Sequence, residues 1–461
     1  MPKMKRQKIA RKGSTPSWKD VNLNIGASEK LRKGRKFEMR IYDHDKETEG
    51  MSMAIREKYY FDKLKEIINY AYRNAPAIRR KFDQAGFDPS QFKNIQDLEK
   101  VPILKKEELK EEQRKNPPFG GYLAIPLENL QRVYVSPGPI YDPEEKGASR
   151  LREAKMMYDV GFRPGDRVAV TLSYHMVPAG LLFDKALREI GALVVPTGVG
   201  NSELQVRVIK DLHVTGYVGT ATFLMSLIRK AEERGYIIRQ EFPIKKALLT
   251  AEMVPQSLRD TLEYRYHIDT WQAYGTADVG LFACECDQKS GMHLANDVYV
   301  EIIDPSTGKN VQPGETGEVV VTYFNKVYPL IRLATGDLSY LNAELCPCGR
   351  TSPRLVKILG RVGDAFKVRG LFLHGSQVKE ALSIFSEISR YSMEISRTGD
   401  RDQLTLKAEL KYEGVDQENL SFRLLNRIKD VCRLKVDEVK FVRPGTLEPD
   451  VKPLIDNRKW E

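Results

Sequence analysis

The sequence has no long apolar run, and its cysteines are few. No uninterrupted apolar segment approaches the roughly 18 residues that a membrane-spanning helix requires. The first residues, MPKMKRQKIARKG, lack the apolar core of a secretory signal, so nothing in them points to export. With 41% hydrophobic and 30% charged residues, the composition is that of a soluble globular protein. We therefore expect a cytoplasmic protein of two or more domains, because 461 residues are many for one core.

Almost all of the net charge of +11 lies at one end of the chain. Residues 1–40 contain 13 Lys or Arg and 3 Asp or Glu, which leaves 61 basic and 60 acidic residues in the remainder. A nearly neutral remainder argues against nucleic-acid binding. We expect the basic head to be a solvated, disordered tail, with weak polyanion contact or an organelle address as the alternatives.

Short apolar strands alternate with amphipathic helices in the first half of the chain. Strands are predicted at 167–172, 192–196, 216–219, 246–250 and 270–274, and helices at 177–190, 201–212, 221–234 and 255–266. This alternation is typical of βαβ units and a parallel sheet, whose ligands bind at the carboxyl ends of the strands. The predicted fold class is α/β.

The pattern changes after residue 280. Runs of β type at 297–303, 317–324 and 330–341 predict a β-rich subdomain over about 281–359. The order α-β-β-α-β over 376–442 predicts a compact α+β domain. We expect a large N-terminal domain over 41–363, with parallel βαβ sheets and the β-rich subdomain, and a small C-terminal domain over 364–461.

The stretch WQAYGTADVG, at 271–280, is the first candidate for chemistry. A β-prone segment ends at Tyr274, and Gly275 would let the backbone approach a ligand. Thr276 adds a hydroxyl, and the carboxylate of Asp278 can hold Mg²⁺ beside phosphates. The pattern indicates a nucleotide and metal site, although an ordinary strand-to-loop turn would have the same residues.

Three further motifs surround this stretch: LTAEM at 249–253, IRLATGDL at 331–338 and GRVGDAFKVRG at 360–370. The carboxylate of Asp337 follows a glycine at the end of a β-type run and could accept both hydroxyls of a ribose. Taken singly, Asp337 could also be a turn residue and Asp364 a loop cap.

Four of the five cysteines form two C-x-C pairs. Cys286, His293, Cys346 and Cys348 offer three thiolates and an imidazole, a set suited to a tetrahedral, structural zinc ion. Cys284 is an alternative ligand by register. The other reading is reduced, buried cysteines beside an unrelated histidine.

In this order and at these distances, the motifs resemble the adenylate-forming enzymes, which include acyl-CoA synthetases, luciferases and the adenylation domains of peptide synthetases. The resemblance is closest to the phenylacetate–CoA ligase branch. Further segments share the resemblance: CPCGR at 346–350, GMHLANDVYVEIIDPSTG at 291–308, RGLFLHGSQVKEAL at 369–382 and the terminal VRPGTL and PLID. The resemblance therefore covers about 42–456. Some members of this branch carry a zinc site like the one described above.

The resemblance implies two half-reactions. A carboxylic acid attacks the α-phosphate of ATP, with Mg²⁺ present, to give an acyl-adenylate and pyrophosphate; the thiol of CoA then displaces AMP. The implied partners are a small aromatic acid and CoA, and a homodimer is the family expectation, with a subunit of a complex as the alternative. The small domain would be mobile and rotate between the two half-reactions.

The resemblance also implies a role for each motif residue. Ala251 and Glu252 would line the adenine, and Tyr274 would stack near it. Contacts to the nucleotide would come from Thr276 at the α-phosphate, Asp337 at the ribose and Arg361 at the ribose or phosphate, with Asp278 in the place of the family's glutamate as Mg²⁺ ligand.

Further roles fall outside the nucleotide site. Asp364 would be the hinge of the small domain. Tyr174 and His175 lie in SYHMVPAGLLF, the part that lines the family's acyl pocket, and could flank an aromatic ring or its carboxylate; a helix packed on the sheet explains the apolar residues of this segment equally well.

Two stretches depart from the family pattern. The phosphate-gripping loop SSGTTGxP corresponds to VSPGPIYDPEEKG at 135–147, in which only Ser136 and Gly138 are kept. Proline offers no N–H to a phosphate, and the three carboxylates that follow would repel phosphates. At the C-terminus, Asp450 stands where the family has its adenylation lysine, and Lys452 lies two residues later.

Both departures affect the ATP half of the reaction, so two hypotheses of different class remain. In the first, the protein is an AMP-forming aryl-CoA ligase with a divergent phosphate loop and Lys452 as its catalytic lysine. In the second, it is a non-catalytic or repurposed relative that binds a nucleotide, an acyl-adenylate or CoA in a complex. An adenylyltransferase acting on a coenzyme F420-like hydroxyl is a further alternative.

Overall fold

The computed structural model describes residues 48–136, 138–362, 365–369, 371–398 and 401–458. The predicted basic head, 1–40, lies outside these residues. The helices are α1 (Met53–Asn74), α2 (Pro76–Gln84), α3 (Lys106–Lys115), α4 (Leu151–Asp159), α5 (Ala179–Ile190), α6 (Ser202–Asp211), α7 (Ala221–Glu233), α8 (Ile238–Glu241), α9 (Gln256–Asp260), α10 (Gly375–Leu382) and α11 (Gln417–Cys432).

The strands of the large domain are β1 (Leu104–Lys105), β2 (Leu130–Ser136), β3 (Ile140–Glu145), β4 (Arg167–Val170), β5 (Leu193–Val195), β6 (Gly216–Gly219), β7 (Lys246–Leu249), β8 (Asp269–Thr276), β9 (Gly280–Glu285), β10 (Met292–Leu294), β11 (Val298–Ile303), β12 (Gly317–Tyr323), β13 (Leu333–Ser339), β14 (Leu341–Asn342), β15 (Arg354–Leu355) and β16 (Gly360–Arg361). Those that follow are β17 (Ala365–Val368), β18 (Leu371–His374), β19 (Ile388–Thr398), β20 (Arg401–Leu410), β21 (Glu438–Val442) and β22 (Leu454–Asp456).

The predicted parallel sheet is present as one half of a nine-stranded sheet, in the order β14-β15-β10-β9-β8-β7-β6-β4-β5. The strands from β5 to β8 are parallel, and β8 pairs antiparallel with β9. Along β7, Leu248 joins one hydrophobic core, and Ala247 and Leu249 join the other. Helices on both faces therefore bury the parallel half, and the carboxyl ends of its strands share one edge.

The helices around this sheet follow from the spacing of their apolar residues. In α7, Leu224, Leu227 and Ile228 are buried, at the intervals of three and four that place side chains on one face. The hydroxyl of Thr220 accepts a hydrogen bond from the backbone N–H of Phe223 at 3.3 Å and caps the helix. The predicted start of α6 is confirmed, because Asn201 caps it in the same way.

The end of β8 differs from the prediction. The strand does not stop at Tyr274 but continues through Gly275 and Thr276, because these residues pair with Leu281 and Gly280 of β9. A Cβ at Gly275 would clash with the carbonyl oxygen of Gly280. Glycine is therefore required here by the close approach of two strands.

The strands predicted for one β-rich subdomain over about 281–359 are divided between two sheets. β9, β10, β15 and β14 extend the nine-stranded sheet, because β9 continues the hydrogen bonding of β8. β11, β12 and β13 belong to a second sheet in the order β1-β13-β12-β11, with β16 paired to β13. The predicted segment is therefore rich in β structure without forming a sheet of its own.

The C-terminal part has the predicted α+β composition. Its sheet has the order β21-β20-β19-β22, and α10 and α11 pack against it. The sequence analysis missed β22 and the hairpin of β17 with β18, which are short. The core of this part is separate from the others and includes Met393, Leu406 and Leu424. The predicted boundary at 363/364 falls on residues outside the described ones, so it stays a prediction.

Among the described residues, none of the helices combines the length and the apolar character that crossing a membrane needs.

We expect Arg332→Met to lower the free energy of unfolding by about 3–5 kcal/mol, because it leaves the buried carboxylate of Glu301 without its cation. Arg332 is 1% exposed, donates to both carboxylate oxygens of Glu301 at 2.9 Å and donates to the carbonyl of Val101 at 2.7 Å. The measurement is urea unfolding. The matched control is Arg114→Met, whose exposed ion pair with Glu111 should contribute little to stability because solvent screens it. Equal losses in the two variants would contradict the argument.

Candidate active site

The turn between β8 and β9 lies at the carboxyl edge of the parallel strands. The hydroxyl of Thr276 accepts a hydrogen bond from the backbone N–H of Val279 at 3.3 Å, which fixes the turn. The turn carries Asp278, whose side chain is fully buried. Thr276 itself is half-buried, so its hydroxyl lies at the edge of the site.

The structure brings together three predicted nucleotide contacts from different parts of the chain. The hydroxyl of Tyr274 donates to Oδ2 of Asp337 at 2.8 Å, and Nη1 of Arg361 lies 3.6 Å from Oδ1 of the same carboxylate. Burial, and then the charge of Asp337, raise the pKa of Tyr274, so its hydroxyl keeps its proton as a donor. Asp337 pairs directly with Arg361 across β13 and β16. The carboxylate is thus fixed in direction, as recognition of a ribose diol would require.

The loop after β7 carries the two residues predicted at the adenine. Ala251 is exposed and has a φ of 67°. The carboxylate of Glu252 accepts hydrogen bonds from the backbone N–H and the hydroxyl of Thr222, both at 2.7 Å, at the N-terminus of α7. Since both oxygens of Glu252 are engaged by Thr222, this carboxylate fastens the loop to the helix.

The divergent phosphate loop is a β-hairpin formed by β2 and β3. Ser136 pairs with Ile140 and is buried, whereas Gly138 is exposed at the tip. Gln113 of α3 fixes the hairpin, because its side chain donates to the carbonyl of Tyr141 and accepts from the N–H of the same residue, each at 2.8 Å.

The three carboxylates of this hairpin differ in their burial and in their charge partners. The expectation that all three repel phosphates is refined accordingly. Glu144 is buried and neutralised by Arg132 at 2.9 Å and Arg150 at 2.8 Å. Glu145 is exposed to solvent. Asp142 is also buried, at 4% exposure. It differs from Glu144 because neither of its carboxylate oxygens makes a hydrogen bond of ordinary geometry.

Asp142 shares its buried surroundings with Asp278. Burial, and then the negative charge of Asp278, raise the pKa of Asp142 to about 8. Nζ of Lys106 lies 2.6 Å from Oδ2 of Asp278, while Oδ1 of Asp278 has no hydrogen-bond partner. Sequence reasoning missed Lys106, since a lysine at the start of a charged helix is most often part of a solvated surface.

This pair of carboxylates fits Mg²⁺, which prefers carboxylate oxygens and retains several water ligands. The free Oδ1 of Asp278 supports the predicted role of this residue as a metal ligand. Its Oδ2 is engaged by Lys106, so Asp278 has one oxygen that no other group uses.

Two predicted residues of the acyl pocket lie on the loop after β4. The hydroxyl of Tyr174 donates to Asp184 of α5 at 3.4 Å, and His175 is exposed. A Cβ at Gly180 would lie 2.7 Å from the ring of Tyr174, so the loop packs closely on the start of α5. The ring of Tyr174 is thereby held in place, and His175 is free to contact a ligand.

The structure does not bring the predicted C-terminal residues into this cluster through any described contact. Lys452 is exposed on the segment before β22 and takes part in no ion pair or side-chain hydrogen bond given for the described residues. Asp364, the predicted hinge, lies outside the described residues.

A second cluster contains all four predicted zinc ligands. The ligand atoms of Cys286, His293, Cys346 and Cys348 all lie within 4.8 Å of one another. The Sγ atoms of Cys286 and Cys346 are 3.7 Å apart, and Sγ of Cys348 lies 3.4 Å from Nε2 of His293. The alternative ligand, Cys284, packs in the main core instead.

The environment of His293 suits metal binding. Burial lowers the pKa of His293 to about 4, so the imidazole is neutral at physiological pH. Nδ1 lies 3.1 Å from the hydroxyl of Ser352, which leaves Nε2 toward the thiols. A histidine whose second nitrogen is hydrogen-bonded in this way is typical of metal ligands.

Comparison with known proteins agrees with this architecture. The family model described as AMP-binding enzyme matches residues 148–323, and that described as AMP-binding enzyme C-terminal domain matches 370–458. A phenylacetate-coenzyme A ligase from Thermus thermophilus is 31% identical over 378 residues, which are 78% of this chain and 83% of that protein. The fold and the site define an adenylate-forming enzyme.

Solved structures of a 2-hydroxyisobutyryl-CoA ligase are similar as well. Its open conformation, in complex with 2-HIB-AMP and CoA, has a TM-score of 0.80 at 28% identity and covers 89% of this chain and 93% of that one. The thioesterification state of the same ligase has a TM-score of only 0.66 at 28% identity. This match covers 89% of this chain and 91% of that one. The chain belongs to the AMP-binding enzyme family, within the branch of the phenylacetate–CoA ligases, and the resemblance seen in the sequence is confirmed.

We expect Asp142→Asn to change how stability depends on pH when no divalent cation is added. The folded state keeps the proton of Asp142 from its ordinary pKa of 3.8 up to about 8. The folded state therefore binds more protons than the unfolded state in this window, and stability falls as pH rises through it. Asparagine cannot ionise, so the variant should lose less stability than the parent as the pH rises from about 5 to about 8.

The measurement is the free energy of unfolding at intervals between pH 5 and pH 9, beside the exposed control Glu145→Gln. The control should follow the parent, whereas Asp142→Asn should show a flatter profile. Parallel profiles for all three proteins would show that Asp142 titrates normally.

Proposed function

We propose that the protein activates an aromatic, phenylacetate-like carboxylic acid with ATP and transfers the acyl group to CoA, releasing AMP. The observation that carries this proposal is the convergence of Tyr274, Asp337 and Arg361 beside the β8–β9 turn. These residues come from three strands, yet they meet at the carboxyl edge of the parallel sheet. A fixed carboxylate flanked by a donor and a cation is suited to a ribose and its phosphate.

The first half-reaction joins an oxygen of the acid to the α-phosphorus of ATP. The bond from that phosphorus to pyrophosphate breaks, and an acyl-adenylate remains. The hydroxyl of Thr276, at the edge of the turn, would contact the α-phosphate, and Asp337 would hold the ribose. Mg²⁺ bound by Asp278 would supply positive charge to the phosphates. Catalysis of this step is mainly positioning and charge neutralisation.

The second half-reaction joins the sulfur of CoA to the acyl carbon and releases AMP. Carboxylate oxygen is a poor leaving group, whereas AMP is a good one, which is why the acid is first adenylated. Because the fold is more similar to an open conformation than to a thioesterification state, we infer that the C-terminal domain rotates about Asp364. The exposed position of Lys452 is consistent with a lysine that reaches the site only after such a rotation.

The acid would be held by the loop after β4. The ring of Tyr174 is fixed by Asp184 and by its packing on Gly180, so it offers a rigid wall for an aromatic substrate. His175, which is exposed beside it, could contact the ring or its carboxylate.

We also propose that Cys286, His293, Cys346 and Cys348 bind one structural zinc ion. The four residues come from the end of β9, from β10 and from the segment between β14 and β15. A tetrahedral ion with this donor set has no open position for catalysis. Its role is to hold the β9–β10 hairpin and the segment between β14 and β15 together.

The remaining proposals concern the setting of the enzyme. We propose that it acts in the cytoplasm on small molecules, as a homodimer or as a subunit of a complex. The nearly neutral charge of residues 41–461 supports a partner other than nucleic acid.

We expect ATP–pyrophosphate exchange that depends on one aromatic acid from a panel, measured with Mg²⁺ present. Lys452→Ala should reduce the exchange by about 100-fold or more, since one lost contact to developing charge typically costs that much. Lys411→Ala, an exposed lysine of the same domain, should leave it unchanged.

Absence of exchange with every acid, while AMP still raises the melting temperature, would overturn the ligase proposal and favour a nucleotide-binding relative. Exchange that survives in Lys452→Ala would support the ligase but remove Lys452 from its mechanism.

We expect metal analysis of the purified protein to give one zinc ion per chain, and Cys348→Ser to lose it. Cys284→Ala is the matched control, because it removes a neighbouring thiol that points into the core. Loss of the ligand should also lower the melting temperature, since zinc binding contributes to folding. Zinc that is retained in Cys348→Ser, or lost equally in Cys284→Ala, would contradict the assignment.

A further inference from the structure

The buried carboxylate of Asp142 has no function in the fold that the structure describes. Asp142 is 4% exposed, and the hydroxyl of Ser136 lies close enough to lower its pKa, yet neither carboxylate oxygen makes a hydrogen bond of ordinary geometry. An unpartnered buried carboxylate is costly, so its presence calls for a ligand or a proton. Glu144, on the same strand and the same face, shows the contrast, because two arginines and the hydroxyl of Tyr134 satisfy it.

The hairpin that carries Asp142 is fixed to α3, the helix whose Lys106 contacts Asp278 of the β8–β9 turn. Gln113 binds both backbone groups of the neighbouring Tyr141, and its amide also donates to the hydroxyl of Tyr328 at 2.8 Å. The charges of Asp142 and Asp278 both act on this tyrosine and help to raise its pKa, after the larger effect of burial. Asp142 and Asp278 are therefore neighbours in one buried region, which two separate hairpins and α3 enclose.

The charges at this point do not balance. Two carboxylates face one ammonium group, that of Lys106, which contacts only Oδ2 of Asp278. Three carboxylate oxygens, both of Asp142 and Oδ1 of Asp278, are left without partners. With both acids ionised, the cluster has an excess of one negative charge, and one divalent cation would change this to an excess of one positive charge.

We propose that Asp142 and Asp278 together bind one divalent cation of the Mg²⁺ type, and that this cation replaces the phosphate contacts that the hairpin lacks. The inference rests on the proposed function in its reference to ATP. The hairpin has lost the hydroxyls and N–H groups that would face the β- and γ-phosphates, and Asp142 compensates by supplying a metal ligand. The cluster is then positive toward the phosphates, and Lys106 can turn from Asp278 to a phosphate oxygen.

The first test is binding of Mn²⁺, as a probe for Mg²⁺, to the full-length, zinc-loaded protein without nucleotide. Binding is followed by loss of the electron paramagnetic resonance signal of free Mn²⁺. Saturation with zinc keeps Mn²⁺ from the cysteine cluster, whose thiolates prefer zinc. We expect Asp142→Asn to weaken binding at least about tenfold, as the loss of a metal-supporting group typically does. Glu145→Gln, an exposed carboxylate of the same hairpin, should bind as the parent does.

A second variant gives a result that misfolding cannot imitate. Lys106→Met removes the ammonium group that competes for Asp278, so Mn²⁺ should bind several-fold more tightly than to the parent. Unaltered binding in both Asp142→Asn and Lys106→Met would overturn the proposal, and so would binding that is weakened in Glu145→Gln as much as in Asp142→Asn.

The ATP reaction separates this proposal from the proposed function. In ATP–pyrophosphate exchange, Asp142→Asn should raise the Mg²⁺ concentration for half-maximal rate about tenfold or more, with the rate largely recovered at saturating Mg²⁺. An unchanged Mg²⁺ requirement in an active variant would overturn the metal role of Asp142 and leave the ligase proposal standing. Mn²⁺ binding that depends on Asp142, in a protein without exchange activity, would support the site and overturn the ligase.

Discussion

The antiparallel pairing of β8 with β9 is the constraint on which the remaining structure depends. It joins the parallel half of the main sheet to the antiparallel half, and it requires glycine at 275 because the two strands approach so closely. At one end of the pair, the turn places Thr276 and Asp278 at the edge where parallel strands bind their ligands. At the other end, Cys286 follows β9 and joins the metal-type cluster. One hairpin thus positions both sites.

Charge balance at the turn is a second constraint on the site. The hairpin that corresponds to the phosphate loop is acidic, yet its carboxylates act differently: two arginines satisfy Glu144, whereas Asp142 is buried without a partner. Asp142 and Asp278 share a buried space with a single lysine, Lys106. The local negative charge would oppose ATP unless a cation accompanies it, so the residues that seem to weaken nucleotide binding become explicable as metal ligands.

The two cores of the large domain and the separate core of the C-terminal part explain how one site can serve two half-reactions. Tyr274, Asp337 and Thr276, which we propose as nucleotide-binding residues, lie on strands with buried neighbours, so we expect them to be rigid. Lys452 lies on the other part, exposed and without described partners. The chain is more similar to an open conformation of 2-hydroxyisobutyryl-CoA ligase, with a TM-score of 0.80, than to its thioesterification state, with a TM-score of 0.66. Rigid binding residues and a movable lysine are what a two-step reaction requires.

The sequence by itself determined the α/β class and the alternation of strands and helices between 167 and 274. It also determined the identity of the family and the four residues of the Cys286, His293, Cys346 and Cys348 cluster, because periodicity and motif spacing are local properties of the chain. It did not determine how the strands after 280 divide between two sheets, since strand partners are chosen by packing of distant segments. It also treated three hairpin carboxylates alike and overlooked Lys106. Only the tertiary structure decided which carboxylate is neutralised and which is buried beside Asp278, because burial and charge partners are set by how the chain folds. Glu144 takes its partners, Arg132 and Arg150, from nearby in the sequence, whereas Lys106 reaches Asp278 across 172 positions.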